Sequence, residues 1–210
     1  MNDRLSMAAC AVLLGGVLAL TGCAGSESVR YYVLSATPAG PNGVAVRDIP
    51  VGVGPVEFPE YLDRPQIVTR TSQNELNVAD FDRWAESLKD NTIRVLAENL
   101  ATLLPSQRVV TYPWKRATPV DYQVTVQVSR FDRLEQGESV LAVRWRVLDG
   151  GGAPPAGGGG GELLSRTSTY RETPSGPDYP ATVAAMNRNL EAFSRDVALR
   201  IGSLSTGSGR

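Results

Sequence analysis

Tyr122-Gln123-Val124-Thr125-Val126-Gln127-Val128-Ser129 alternates apolar and polar side chains without a break. A period of two places the apolar residues on one side of an extended strand. The pattern recurs downstream, with Leu141, Val143, Trp145 and Val147 on one face and Ala142, Arg144 and Arg146 on the other. Residues 135–138, which include Gly137, are short enough to join the two runs as a hairpin. One dry face and one wet face is the pattern of an antiparallel sheet covered on a single side. The rest of the chain must therefore supply a cover. Residues 162–170 read as a third, more polar strand nearer an edge. After Pro180, the residues Val183, Met186, Leu190, Phe193, Val197, Ile201 and Leu204 recur at steps of three and four. This is an amphipathic helix whose stripe fits the dry face. Residues 203–210 read as its frayed end, with 205–210 a disordered tail.

Upstream of the hairpin the period is helical from Asp80 or Asp82 onward. Trp84, Leu88, Val95, Leu96, Leu100 and Leu103 share one side, an Asp suits the N-cap, and the acidic pair complements the helix dipole. Leu104-Pro105 ends this helix after about six turns. Strands are expected at 30–35, 49–56, 67–71 and 108–112, with Gln73-Asn74-Glu75 turning the third into a short partner at 76–78. Gly52 and Gly54 mark a strand closely approached by another backbone, which Pro55 and Pro59 end. Segment 149–161 is a Gly/Pro/Ala run that reads as a flexible loop. No Gly-Lys-Ser/Thr follows it, so it is not a phosphate loop. The expected fold is α+β, a two-layer sandwich of mostly antiparallel sheet with two long helices packed on one face, in a single domain spanning 30–204.

The first 23 residues follow another logic. Arg4 precedes an apolar run over 7–20, and Leu20-Thr21-Gly22-Cys23 closes it with small residues before a cysteine. This is the layout of a lipoprotein signal. The run is too short to cross ~30 Å of hydrocarbon at ~1.5 Å per residue. Cleavage between Gly22 and Cys23 would remove residues 1–22 and leave Cys23 to carry the acyl chains. Residues 23–29 then form a short tether of at most about 20 Å. Cys10 departs with the signal, so the mature chain keeps no thiol for a disulfide, a thiolate metal site or a nucleophile. Stability must come from packing.

The remaining composition excludes more than it suggests. Histidine is absent, and 21 basic residues balance 22 acidic ones without a basic run. That gives no nucleic-acid footprint and removes the commonest metal ligand and general base. No catalytic constellation, metal site or cofactor motif is present, so no enzymatic reading is expected. Trp84 and Trp145 lie in phase with their apolar stripes. Trp114, between Tyr112-Pro113 and Lys115-Arg116, has no stripe that fixes its phase, and an exposed aromatic beside cations suits a protein or headgroup contact. The segment 53–68 carries Pro55, Pro59 and Pro65 and stays irregular for most of its length, which in a compact domain usually marks a role. Tyr61, Leu62, Asp63, Arg64, Pro65, Tyr112 and Trp114 are the expected partner-contact residues.

These stretches also carry a resemblance. Tyr31-Tyr32-Val33-Leu34, the 53–68 segment, Phe81-Asp82-Arg83-Trp84-Ala85-Glu86, Ala97-Glu98-Asn99-Leu100, Tyr112-Pro113-Trp114 and Asp121-Tyr122-Gln123-Val124 together resemble the PqiC-type auxiliary lipoproteins of ABC-type transport systems. The resemblance spans nearly all of the mature chain, and the 149–161 run is an insertion in a hairpin that is tighter in that family. It implies a non-enzymatic component of a paraquat-inducible or MCE-type lipid transport machine that supports membrane integrity. The implied partners are the membrane, through the N-terminal acyl chains, and an MCE-domain protein that spans the periplasm with its inner-membrane components. The resemblance further implies assembly into a homo-oligomeric ring, with no nucleic acid. Ala24, where Asp would favour inner-membrane retention, directs the expectation to the periplasmic face of the cell outer membrane. Two rival readings are an envelope-structural or outer-membrane-assembly lipoprotein with no transport partner, and a hydrolase using Ser or acidic residues without His.

The lipidation reading has a direct test: Cys23→Ser should move the protein from the membrane fraction to the soluble periplasmic fraction on cell fractionation.

Overall fold

The computed structural model describes residues 27–37, 48–104, 106–114, 118–150 and 161–207. The signal segment 1–22, Cys23 with most of the tether, and positions 151–160 of the Gly-rich run lie outside them. Eight strands and two helices follow one another as β1 (Arg30–Tyr32), β2 (Val51–Glu57), a 3-10 turn (Glu60–Leu62), β3 (Gln66–Arg70), β4 (Leu76–Trp84), α1 (Leu88–Leu103), β5 (Val109–Thr111), β6 (Tyr122–Arg133), β7 (Ser139–Asp149), β8 (Glu162–Glu172) and α2 (Tyr179–Gly207).

The alternating stretch over residues 122–129 lies in β6, the trunk of the sheet. On one side β6 pairs antiparallel with β7 along its whole length, and β7 with β8. On its other side β6 takes β2 in parallel along its first half and touches β3 at Arg133. Beyond β2 lies β5, in parallel; beyond β3 lies β4, antiparallel, and then β1, parallel to β4. The long pairings β6–β7 and β7–β8 are thus antiparallel, as alternation predicts, and β3–β4 is too, whereas β1, β2 and β5 join their neighbours in parallel. The sheet is mixed because direction depends on connections that strand pattern does not encode.

Both helices pack on one face. Val124, Val126 and Val128 of β6 and Leu141, Val143, Trp145 and Val147 of β7 are buried beneath them. From α2 the stripe Val183, Met186, Leu190, Phe193, Val197 and Ile201 completes the core, with Phe193 edge-on to Trp145 at 5.9 Å. α1 contributes Leu88, Val95, Leu96 and Leu100. Burying one such side chain stabilises the fold by about 1.5–3 kcal/mol.

Three expectations need correction. First, α1 does not start at Asp80 or Asp82. Ser87 caps it, accepting from the Asp90 N–H at 3.4 Å, and the helix runs for 16 residues. Residues Leu76–Trp84 are strand β4, and Trp84 is buried from the strand rather than from the helix. The misreading has a physical source. Asp82 occupies an inward position of β4 and is only 3% exposed, so a carboxylate interrupts the alternation that would have announced a strand. Second, Pro55 does not end β2, which continues to Glu57 through a slip in register against β6 between Val53 and Val56. Gly54, at φ +116°, makes that irregular path accessible. Third, the end expected to fray from Ser203 is helical as far as Gly207, so positions 205–207 are not a disordered tail; positions 208–210 lie outside the described residues.

The segment after β1 is laid between the two helices by asparagine amides. The Asn91 Oδ1 accepts from the Leu34 N–H at 2.5 Å while its Nδ2 donates to the Leu34 carbonyl at 3.1 Å. Ser35 N–H donates to Asn187 Oδ1 and Thr37 N–H to Asn99 Oδ1, at 3.0 and 2.9 Å. Asn99 in turn donates to Ser194 Oγ of α2. Leu34 itself is fully buried. An irregular strand inside a core has no ladder to satisfy its backbone, and side-chain amides take that place.

Asn91→Ala leaves both polar groups of the Leu34 backbone buried without partners, at about 1–3 kcal/mol each. It should lower the urea midpoint markedly at unchanged m-value. Asn187→Ala, whose bond is exposed, should change the unfolding free energy by about 0.5 kcal/mol or less and leave the midpoint nearly where it was.

Candidate functional site

The irregular segment after β2 divides into an inward and an outward half. Phe58 and Leu62 pack against the core, Leu62 at 4% exposure. The Tyr61 hydroxyl donates to Asp132 Oδ2 at 2.9 Å, and Arg70 Nε donates to the same oxygen at 3.0 Å. The Arg70 guanidinium also lies over the Tyr61 ring, 5.3 Å from its centre. Burial first, and then the Asp132 charge, push the Tyr61 phenol up to about 12. Leu62, buried in the core, is not positioned for the expected contact, whereas Tyr61 is half-buried with its hydroxyl held by a buried carboxylate. Asp63, Arg64 and Pro65 stay exposed, while the Pro65 carbonyl accepts from the Trp84 N–H at 2.6 Å and fixes the loop against β4.

The two aromatics after β5 also part ways. Trp114 lies across β2 on the face away from the helices. There Gly52 presents no side chain, and a Cβ would come within 2.6 Å of the indole. Its Nε1 is buried without a hydrogen-bond partner among the described residues. Gln123, beside Gly52 in the register, donates to the Gly54 carbonyl at 2.9 Å. Tyr112 meets Trp114 edge-on at 5.7 Å but keeps 52% of its surface exposed. Trp114 is thus half-buried against the sheet, and Tyr112 presents the aromatic surface.

What remains outward forms one concave strip. A shallow cavity of about 370 Å³ runs from Asp63, Arg64 and Pro65 to Trp84 and Glu86. A groove of about 470 Å³ continues from Glu86 along α1, past Ile93 and Ala97, to Thr111 and Tyr112. Glu86 belongs to both, so the structure brings the exposed halves of the two predicted segments to opposite ends of one strip. Arg94 crosses it, paired to Glu86 at 2.7 Å and Glu98 at 3.1 Å. The α1 half of the strip has no sequence signal, because half-buried Ile93 and Ala97 at the margin of the apolar stripe look like an ordinary helix flank. On the open sheet face a small cavity of about 140 Å³ lies between Pro55, Glu57, Gln127, Arg144 and Arg146; the wet side of the alternation pointed to these arginines without saying that they line a hollow.

Asp82 is the most deeply placed acid near the N-terminal strand. Arg30 Nε and Nη2 each donate to it at 2.9 Å, and the Tyr32 hydroxyl donates at 2.6 Å. Burial pushes its carboxyl up, but the hydrogen bonds from Arg30 and Tyr32 and the Arg30 charge outweigh this and hold it below the usual range. Asp82 is thus a tie between β1 and β4, not a helix cap. Among the described residues no three of His, Cys, Asp and Glu converge as a metal site, and no helix is long and apolar enough to cross a membrane.

Comparison with known proteins adds to this geometry. A family model described as the ABC-type transport auxiliary lipoprotein component matches residues 32–198. The intermembrane transport lipoprotein PqiC of Escherichia coli (strain K12) is 28% identical over 128 residues, which cover 60% of this chain and 67% of that one. A crystal structure of a Xanthomonas campestris protein superposes with a TM-score of 0.65 at 18% identity, covering 85% of this chain and 99% of the other. A second, described only as an uncharacterized protein, gives 0.65 at 20% identity over 83% and 99%. Both share the fold.

The Asp82 tie gives a pH signature. A carboxyl held below its unfolded value of ~3.9 contributes stability that is complete above that value and is lost as pH falls through the folded one. Asp82→Asn should lower stability near neutral pH by about 2 kcal/mol, from the loss of charge-assisted hydrogen bonds. It should also flatten the acid limb of a Tm-against-pH profile measured from pH 7 to pH 2.

Proposed function

Because this chain belongs to the ABC-type transport auxiliary lipoprotein component family, we propose that it is the lipid-anchored, non-catalytic subunit of an MCE-type lipid transport system. On this reading it is held through Cys23 at the periplasmic face of the outer membrane and docks a periplasm-spanning MCE-domain partner, in support of membrane integrity. The match over residues 32–198 carries the reading, and the intermembrane transport named for the Escherichia coli relative supports its direction. A ring of identical copies around such a partner is part of the proposal.

The strip from Asp63, Arg64 and Pro65 past Glu86 to Tyr112 is the proposed docking surface. Its supports are physical. The loop end is fixed to β4 by the Pro65–Trp84 backbone bond, and Tyr112 is held at its base by Trp114. Both exposed ends are therefore preorganised, which lowers the ordering cost of binding. The surface is shallow and crossed by charge pairs rather than enclosed, which suits a protein contact better than a small ligand.

A photo-crosslinking residue placed at Arg64 or Tyr112 should capture an MCE-domain protein in cells, whereas one at Gln127 on the open sheet face should not. Capture at Gln127 with none at Arg64 or Tyr112 would move the docking surface. No MCE-domain protein in any adduct would overturn the transport reading.

A further inference from the structure

We propose that the outward side of the β1–β4 ribbon is a membrane seat, on which Val29, Tyr31, Val33 and Phe81 rest at the headgroup–acyl boundary of the bilayer. The proposal rests on the lipid-anchored reading above and adds a fixed orientation to it.

Seven large hydrophobic side chains are exposed among the described residues. Tyr112 belongs to the docking strip already described, and Leu163 and Leu199 stand singly on β8 and α2, where single exposed residues are ordinary surface. The other four are Val29, Tyr31, Val33 and Phe81, at 38%, 63%, 44% and 37% exposure, and they share one ribbon. Along the chain they alternate with Arg30 and Tyr32, both bound to Asp82, and with Leu34 in the core. The register sets Arg30 beside Asp82 and Tyr31 beside Arg83, so Phe81 flanks Val29, and Arg83 shares the face of Tyr31. A cluster at an edge strand, rather than scatter, marks an interaction surface.

The sequence position identifies the occupant. Val29 stands six residues after Cys23, so the ribbon cannot lie more than about 20 Å from a bilayer that holds the acyl chains. Tyrosine is suited to that boundary, with an apolar ring and a wet hydroxyl. Arg83 on the same face is half-buried, its Nε enclosed without a hydrogen-bond partner among the described residues, and a cation at that boundary complements anionic headgroups. The seat would also transmit orientation. The same strand continues into the asparagine-bound segment between α1 and α2, so tilting β1 tilts the whole body.

The test uses brominated lipid as a contact quencher. The acylated protein, reconstituted in phosphatidylethanolamine and phosphatidylglycerol vesicles with brominated chains, carries either Tyr31→Trp or, as a distant exposed control, Leu199→Trp. The emission added by Tyr31→Trp should be quenched at least twofold more than that added by Leu199→Trp; equal quenching overturns the seat. A second arm couples unacylated protein through the Cys23 thiol to a single-chain maleimide lipid. There Tyr31→Ser/Phe81→Ser should speed exchange between vesicles by about three- to tenfold, since one chain anchors only marginally; unchanged exchange overturns the proposal. An unmodified Cys23 found by mass spectrometry would remove the natural anchor, while the coupled arm still decides the seat.

Discussion

One strand holds this fold together. Among the described residues β6 is the element that both halves of the sheet share: β7 and β8 lie on one side, and β2 with β5 and β3 with β4 and β1 lie on the other. Its Val124, Val126 and Val128 are buried under the helices. That dry face must be covered, and a single layer of sheet cannot cover itself. α2 supplies the cover over β6, β7 and β8 through Leu190, Phe193 and Val197, while α1 covers the half that carries β2 and β5. The two helices then have to meet over the trunk, and the groove between them receives the segment after β1.

That groove explains why the interior of the protein is so polar at one place. Asn91, Asn99, Asn189 and Ser194 are almost fully buried. Three of them serve the N-terminal segment or the helix pair that holds it, and Asn189 ties α2 to the carbonyl and hydroxyl of Ser139 at the start of β7. Apolar side chains at these positions would pack, but they would leave backbone groups of an irregular strand dry and unpaired. The polar network therefore secures the end of the chain nearest the proposed anchor. Asp82 does the same one strand earlier, joining β1 to β4 through Arg30 and Tyr32.

The candidate site was legible in outline because irregular, proline-rich and aromatic segments in a compact domain are seldom idle. Its details were not. Asp63, Arg64 and Pro65 face outward as expected, but Tyr61 is drawn inward by Asp132, which lies 71 positions away in sequence. Trp114 looked like the exposed aromatic, yet a glycine on another strand gives it a flat surface to cover, and Tyr112 is left outside. The α1 side of the groove carries no motif at all, since ordinary helix surface becomes part of a concavity only when β5 is laid beside it.

The sequence alone determined the dry and wet faces of the β6–β7 hairpin, the stripe of α2, the edge character of β8 and the lipoprotein-like start, because each is written in residues that are neighbours along the chain. Tertiary structure decided where α1 begins, which strands run parallel, and which side chains of each segment remain free. These outcomes depend on partners distant in sequence. Asp82 shows why: read locally it caps a helix, but with Arg30 and Tyr32 beside it the same carboxylate can be buried in a strand, and the period that names the element is hidden by the charge that stabilises it.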